Sequence, residues 1–103
     1  MANKKIIIRE VFTAKPGQAS KLAKLFKKSF AADPNMPPVK IMTDLVGNYN
    51  TVVMEMEVNS LAEFEKSMDE YKSGNMDPKL AEEMSQYHDM FLTGRREIFQ
   101  VLD

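Results

Sequence analysis

The sequence predicts an α+β domain of ferredoxin-like βαββαβ type, with an antiparallel sheet and helices on one face. Three observations predict it. Hydrophobic patterns of strand and helix period follow one another in that order along the 103 residues. Proline, glycine or capping residues punctuate each junction. Two strands carry apolar residues on both faces, whereas one layer of helices covers only one face of a sheet. The second face therefore calls for a second copy of the chain. At this length residues 1–103 are expected to form one domain.

Residues 4–13, KKIIIREVFT, are rich in β-branched and aromatic side chains and read as the first strand. Ile6, Ile8 and Phe12 point one way, with Glu10 as a misfit. Ile7, Arg9 and Val11 point the other way. Lys15-Pro16-Gly17-Gln18 breaks the strand and opens a helix, since proline is tolerated in the first turn. That helix runs to about Ala32 and buries Leu22, Leu25, Phe26 and Phe30. Asp33-Pro34-Asn35 and Pro37-Pro38 end it.

Residues 39–46, VKIMTDLV, read as the second strand, with Val39, Ile41 and Leu45 on one face. Gly47-Asn48-Tyr49-Asn50 reads as a hairpin turn, because Gly and Asn tolerate positive φ. Residues 51–58, TVVMEMEV, form the third strand. Its row Val52, Met54, Met56 and Val58 should lie under the helices, with Thr51, Val53, Glu55 and Glu57 on the other side. Ser60 and Glu63 make a capping box. The helix that follows buries Leu61, Phe64, Met68 and Tyr71 and stops at Gly74. Asp77-Pro78 opens another helix with a stripe of Leu80, Met84, Tyr87 and Phe91, ending at Gly94. Residues 95–102, RREIFQVL, close the domain as the fourth strand. The right-handed crossover rule puts the first and third strands side by side in the middle.

Composition narrows the functional classes. The chain has no cysteine, which removes disulfides, thiolate nucleophiles and cysteine metal sites and suits a reducing cytoplasm. Three isoleucines between Lys5 and Arg9 are too short a run for a leader or a membrane span and are expected to be strand. Residues 1–40 hold 9 Lys/Arg against 2 Asp/Glu, and residues 41–103 hold 5 against 13. Basic and acidic halves of this kind read as two solvated helix faces, or as surfaces that pair between molecules. The lysines Lys21, Lys24, Lys27 and Lys28 lack interleaved aromatics, and the net charge is -1, so no nucleic-acid partner is expected. No membrane partner is expected either.

Three stretches resemble the dimeric α/β-barrel superfamily, and within it NIPSNAP-like proteins and the antibiotic-biosynthesis-monooxygenase group. They are the opening strand with Lys15-Pro16-Gly17-Gln18, residues 51–68 (TVVMEMEVNSLAEFEKSM), and residues 94–101 (GRREIFQV). The resemblance implies a homodimer in which two sheets close a barrel. It also implies a cleft between sheet and helices in each subunit. Some such proteins oxidise aromatic substrates or degrade haem without a conventional cofactor, and many have no assigned activity. Haem-degrading members pair a helix histidine with a tryptophan and an asparagine. This chain has His88 but no tryptophan, which speaks against haem.

The candidate site follows from that cleft. His88 is the one histidine, so imidazole acid–base chemistry would have to use it; the plainer reading is an exposed helix residue. Tyr71 and Tyr87, and less readily Tyr49 because it lies in a turn, could hydrogen-bond an oxygenated aromatic ligand, or simply pack their rings. Met54, Met56 and Met84 would shape an adaptable apolar lining, or fill gaps in the core. Ile7, Arg9, Val11, Val53, Glu55 and Glu57 are expected at the dimer interface, joined by Arg95 or Arg96. Glu55 and Glu57 could form an acid–base pair, but an interfacial ion-pair network is the simpler account. No ligand spacing points to a metal, and no motif implies a cofactor. The resulting expectation is a cytoplasmic homodimer that binds a small apolar or aromatic molecule, with cofactor-independent monooxygenase-like chemistry as its enzymatic form. The alternative is a non-enzymatic structural or regulatory dimer.

Overall fold

A computed structural model describes residues 5–31, 38–72 and 78–102, with the side chains of residues 71, 72 and 80 outside the description. The expected stops at 33–37 and Gly74, the cap at Asp77, and the side chains of Tyr71 and Leu80 lie outside the described residues. The elements are β1 (Ile6–Ala14), α1 (Ala19–Ala31), β2 (Val39–Thr43), β3 (Thr51–Val58), α2 (Leu61–Lys72), α3 (Pro78–Met84), a 3-10 turn (Tyr87–Asp89) and β4 (Phe91–Gln100). The four strands form one antiparallel sheet in the order β2-β3-β1-β4, so the first and third strands are central as expected.

The faces divide as the alternation requires. Val52, Met54, Met56 and Val58 are all buried beneath the helices. Leu22, Leu25 and Phe26 of α1 pack with Ala14, Val52, Met54 and Met84. Phe64 of α2 packs with Ile8, Met56 and Val58 as a second cluster. The misfit Glu10 sits on this same face between Ile8 and Phe12. Its cross-strand neighbour is Arg96, and the two are ion-paired. The Arg96 guanidinium also lies 5.2 Å from the Phe64 ring centroid. A carboxylate on an apolar face is tolerated because its partner arrives on the adjacent strand.

The Ser60 cap forms as read, while the reciprocal Glu63 bond is taken from the residue before the cap. Glu63 N–H donates to Ser60 Oγ at 3.1 Å, and Asn59 N–H donates to Glu63 Oε2 at 3.1 Å. Leu61, expected in the core, is 56% exposed in the first turn; Phe64 and Met68 make the helix's apolar contacts instead.

The largest boundary differences are at β2 and at the junction of the last helix with β4. β2 stops at Thr43 rather than Val46, and Leu45 and Val46 are 99% and 95% exposed. Asp44 ends the strand by accepting the Thr51 N–H at Oδ1, 3.0 Å away. Likewise, the last helix stops at Met84, and Phe91 and Gly94 belong to β4. Here sheet pairing overrides a helical pattern: Ala14 pairs with Phe91, and Lys15 N–H donates to Met90 O at 2.9 Å. The register slips between Thr13 and Ala14, bulging Leu92 outward to 62% exposure. Gly94 lies opposite Phe12, where an added Cβ would fall 2.9 Å from ring atoms. The Phe12 ring occupies the space a side chain at 94 would need.

The opposite sheet face carries Ile7, Val11, Val53, Met42 and Phe99, crossed by charged pairs. Arg9 Nη2 meets Glu55 Oε1 at 2.7 Å and its guanidinium lies 5.5 Å from the Phe99 ring. Arg95 pairs with Glu97 at 3.3 Å, so Arg95 rather than Arg96 faces this way. Met42 and Phe99 stand 38% and 48% exposed on a face that no described helix covers.

Candidate functional site

An open groove of about 750 Å³ lies between α1 and the loop 44–50. Helix geometry builds one wall. Ala19 and Ala23 are one turn apart and small, so the chain opposite can approach, while Lys24 and Lys27 rim the same flank. Ile41 of β2 contributes the apolar floor. The loop forms the other wall with Asp44, Leu45, Val46 and Tyr49.

Three features hold the loop. Asp44 takes the Thr51 N–H across the loop's neck. Ala14 N–H donates to Asn50 O at 2.7 Å, tying the loop to β1. Tyr49 and Asn50 both adopt left-handed backbone, with φ of 64° and 58°. Asparagine accepts that conformation readily, whereas tyrosine pays of order 1–2 kcal/mol. The hairpin turn expected over 47–50 is instead a longer loop, 44–50, whose positive φ falls on Tyr49 and Asn50 and not on Gly47. Tyr49 is 79% exposed beside the groove, a strained residue where such strain often marks function.

The electrostatics of the groove are uneven. The Thr51 N–H lowers the Asp44 pKa below its ordinary value, and that outweighs the opposing effect of desolvation. Asp44 is thus committed as an anion to holding the loop. Lys28 pairs with Glu83 at 2.8 Å, but Lys24 and Lys27 form no ion pair among the described residues.

The residues expected at the site are distributed differently. Met54 and Met84 are buried with Phe26 in the first core cluster, and Met56 is buried in the second. The Tyr87 ring packs 5.7 Å from Phe26 and 5.7 Å from Phe91. His88 is exposed on the 3-10 turn, its ring 4.0 Å from Tyr87, with no ion pair among the described residues. None of these residues lines the groove. A smaller hollow of about 440 Å³ beside the 3-10 turn is lined by Lys15, Pro16, Gln18, Gln86, Asp89 and Met90. No group of three or more His, Asp or Glu side chains gathers as a metal site among the described residues.

Sequence reading missed the groove because its lysines look like solvated helix surface and Leu45 continues a strand pattern. The available signal was an Asp ahead of Gly47-Asn48, with two apolar residues stranded inside a turn.

No family model matches the chain, and no curated protein matches it. Solved structures do. A NIPSNAP family protein from Agrobacterium tumefaciens matches with a TM-score of 0.81 at 12% identity, over 100% of this chain and 90% of that one. An uncharacterised NIPSNAP-like domain protein from Burkholderia xenovorans matches with a TM-score of 0.80 at 15% identity, over 98% and 88%. SnoaB, a cofactor-independent oxygenase from Streptomyces nogalater, matches with a TM-score of 0.64 at 13% identity, over 97% and 95%. Among the described residues no helix is long and apolar enough to cross a membrane. The likeness spans nearly the whole chain and is one of fold: this is the α+β fold found in NIPSNAP proteins and in SnoaB.

Proposed function

We propose that the protein is a homodimer that binds a small apolar or aromatic molecule in the groove between α1 and the loop 44–50. The groove itself carries the reading: about 750 Å³ falls within the usual size of ligand sites, and its base is apolar. SnoaB supports an oxygenase form of the reading, in which a bound aromatic substrate reacts with dioxygen without a cofactor. Binding is tested by titrating naphthalene-sized ligands into isotope-labelled protein and following the amides of Ala23, Ile41 and Tyr49. Saturable shifts confined to the groove are expected. Their absence in folded protein refutes the reading. Oxygen uptake with bound phenolic ligands then tests the oxygenase form.

The non-enzymatic alternative is favoured by one observation. His88 stands outside the groove and Tyr87, Met54 and Met84 pack in the core, so these four residues are not gathered at the groove. Ligand binding without oxygen uptake would select it.

The dimer rests on the open sheet face, where apolar Ile7, Val53 and Phe99 alternate with the Arg9–Glu55 and Arg95–Glu97 pairs. Apolar surface crossed by charges that are already paired suits association of two identical faces about a two-fold axis. Val53→Lys should lower the sedimentation coefficient to that of a monomer while leaving the far-UV spectrum intact. An unchanged coefficient would show that this face is not the interface.

A further inference from the structure

We propose that the groove selects an apolar molecule bearing a carboxylate, so that its natural ligand is an aromatic or acyl acid and not a neutral hydrocarbon. This rests on the groove being the binding site and adds the charge of what it binds.

The argument begins with α1. Its sequence ASKLAKLFKKSFA carries lysines at 21, 24, 27 and 28 and no acidic residue. Its exposed surface is therefore positive along its length. Lys28 is neutralised by Glu83, and Lys21 does not line the groove. Lys24 and Lys27, one turn apart on the groove's rim, lack any carboxylate partner among the described residues. One carboxylate does lie in the groove, that of Asp44. It does not serve them: Oδ1 accepts the Thr51 N–H, and Oδ2 is enclosed. Among the described residues, the two lysines thus line the groove with no carboxylate to meet their charge.

The apolar side is equally specific. Leu45 and Val46 stand 99% and 95% exposed on the loop wall, facing a helix wall of Ala19 and Ala23 over Ile41. Large aliphatic side chains in nearly full contact with water gain most from an apolar body laid against them. An acid with such a body would cover Leu45 and Val46 while its carboxylate reached Lys24 and Lys27. A neutral ligand would satisfy only the first need, and an inorganic anion only the second.

The test compares 1-naphthoate with 1-naphthalenemethanol, two ligands of similar size that differ in charge. Affinities are read by amide titration on wild type, K24Q/K27Q and K21Q. Naphthoate should bind several-fold more tightly than the alcohol. K24Q/K27Q should weaken naphthoate roughly three- to tenfold and leave the alcohol unchanged, as expected for two partly exposed charge pairs. K21Q, outside the groove, should shift naphthoate by less than about twofold. Raising salt on the wild type should weaken naphthoate alone, which reads the charge without any substitution. Equal binding of acid and alcohol, insensitive to both lysines and salt, would overturn the carboxylate assignment and leave the groove as a binding site. Failure of both ligands to shift groove amides would overturn the groove and the assignment together.

Discussion

Replacing Gly94 by alanine probes how β4 is seated. The new Cβ would fall 2.9 Å from Cδ1 and Cε1 of Phe12, well inside the roughly 3.5–4.0 Å optimum for carbon pairs. Relief by moving Phe12 is obstructed, because its ring lies 5.2 Å from Phe26 and 4.8 Å from Phe91. Phe26 in turn packs on Tyr87, so the strain would spread through the aromatic cluster under α1. Overpacking of this kind costs about 1–3 kcal/mol. In a domain of about 100 residues, 2 kcal/mol lowers Tm by about 8–16 °C. The assay is urea and thermal unfolding at one fixed protein concentration, since association would itself raise apparent stability. A double-mutant cycle isolates the cause. In an F12L background, G94A should lose at least about half its cost, giving a coupling energy of about 0.5 kcal/mol or more. Strict additivity of G94A and F12L, or a G94A protein as stable as wild type, would refute the close approach of Phe12 to residue 94.

Three further outcomes are expected. Ser60→Ala removes the Glu63 N–H acceptor at the start of α2 and should cost about 1 kcal/mol in urea unfolding; a loss under about 0.3 kcal/mol would deny the cap a stabilising role. Asp44 is depressed in the folded state, so its contribution is complete above the ordinary carboxylate pKa of 3.8 and lost as pH falls through the lower folded value. The Thr51 amide should lose hydrogen-exchange protection over that acid range, and D44N should weaken it even at neutral pH; protection that is indifferent to both would dismiss the carboxylate as the loop's anchor. His88→Ala should leave naphthoate affinity within about twofold, because the imidazole lies outside the groove; a tenfold loss would return His88 to the binding site.

Legibility followed the range of the interaction. β3 was read residue for residue because its alternation is local and strict. So was the Ser60–Glu63 cap, which closes within four residues. The strand order followed from crossover geometry, and the two-faced β1 revealed itself by apolar residues at both parities. These features, and with them the α+β class, were determined by the sequence alone. Tertiary structure decided the rest. Asp44 ends β2 through a bond to Thr51 seven residues on, which no propensity at 44–46 encodes. Phe91 and Gly94 became strand because β1 offered an unfilled edge, and pairing along it outweighed a helical spacing. The groove exists only where α1, β2 and the loop 44–50 converge. Its lysines carry no mark in the sequence to distinguish them from Lys21 or Lys28, because a charge gains or loses its partner only when the chain has folded.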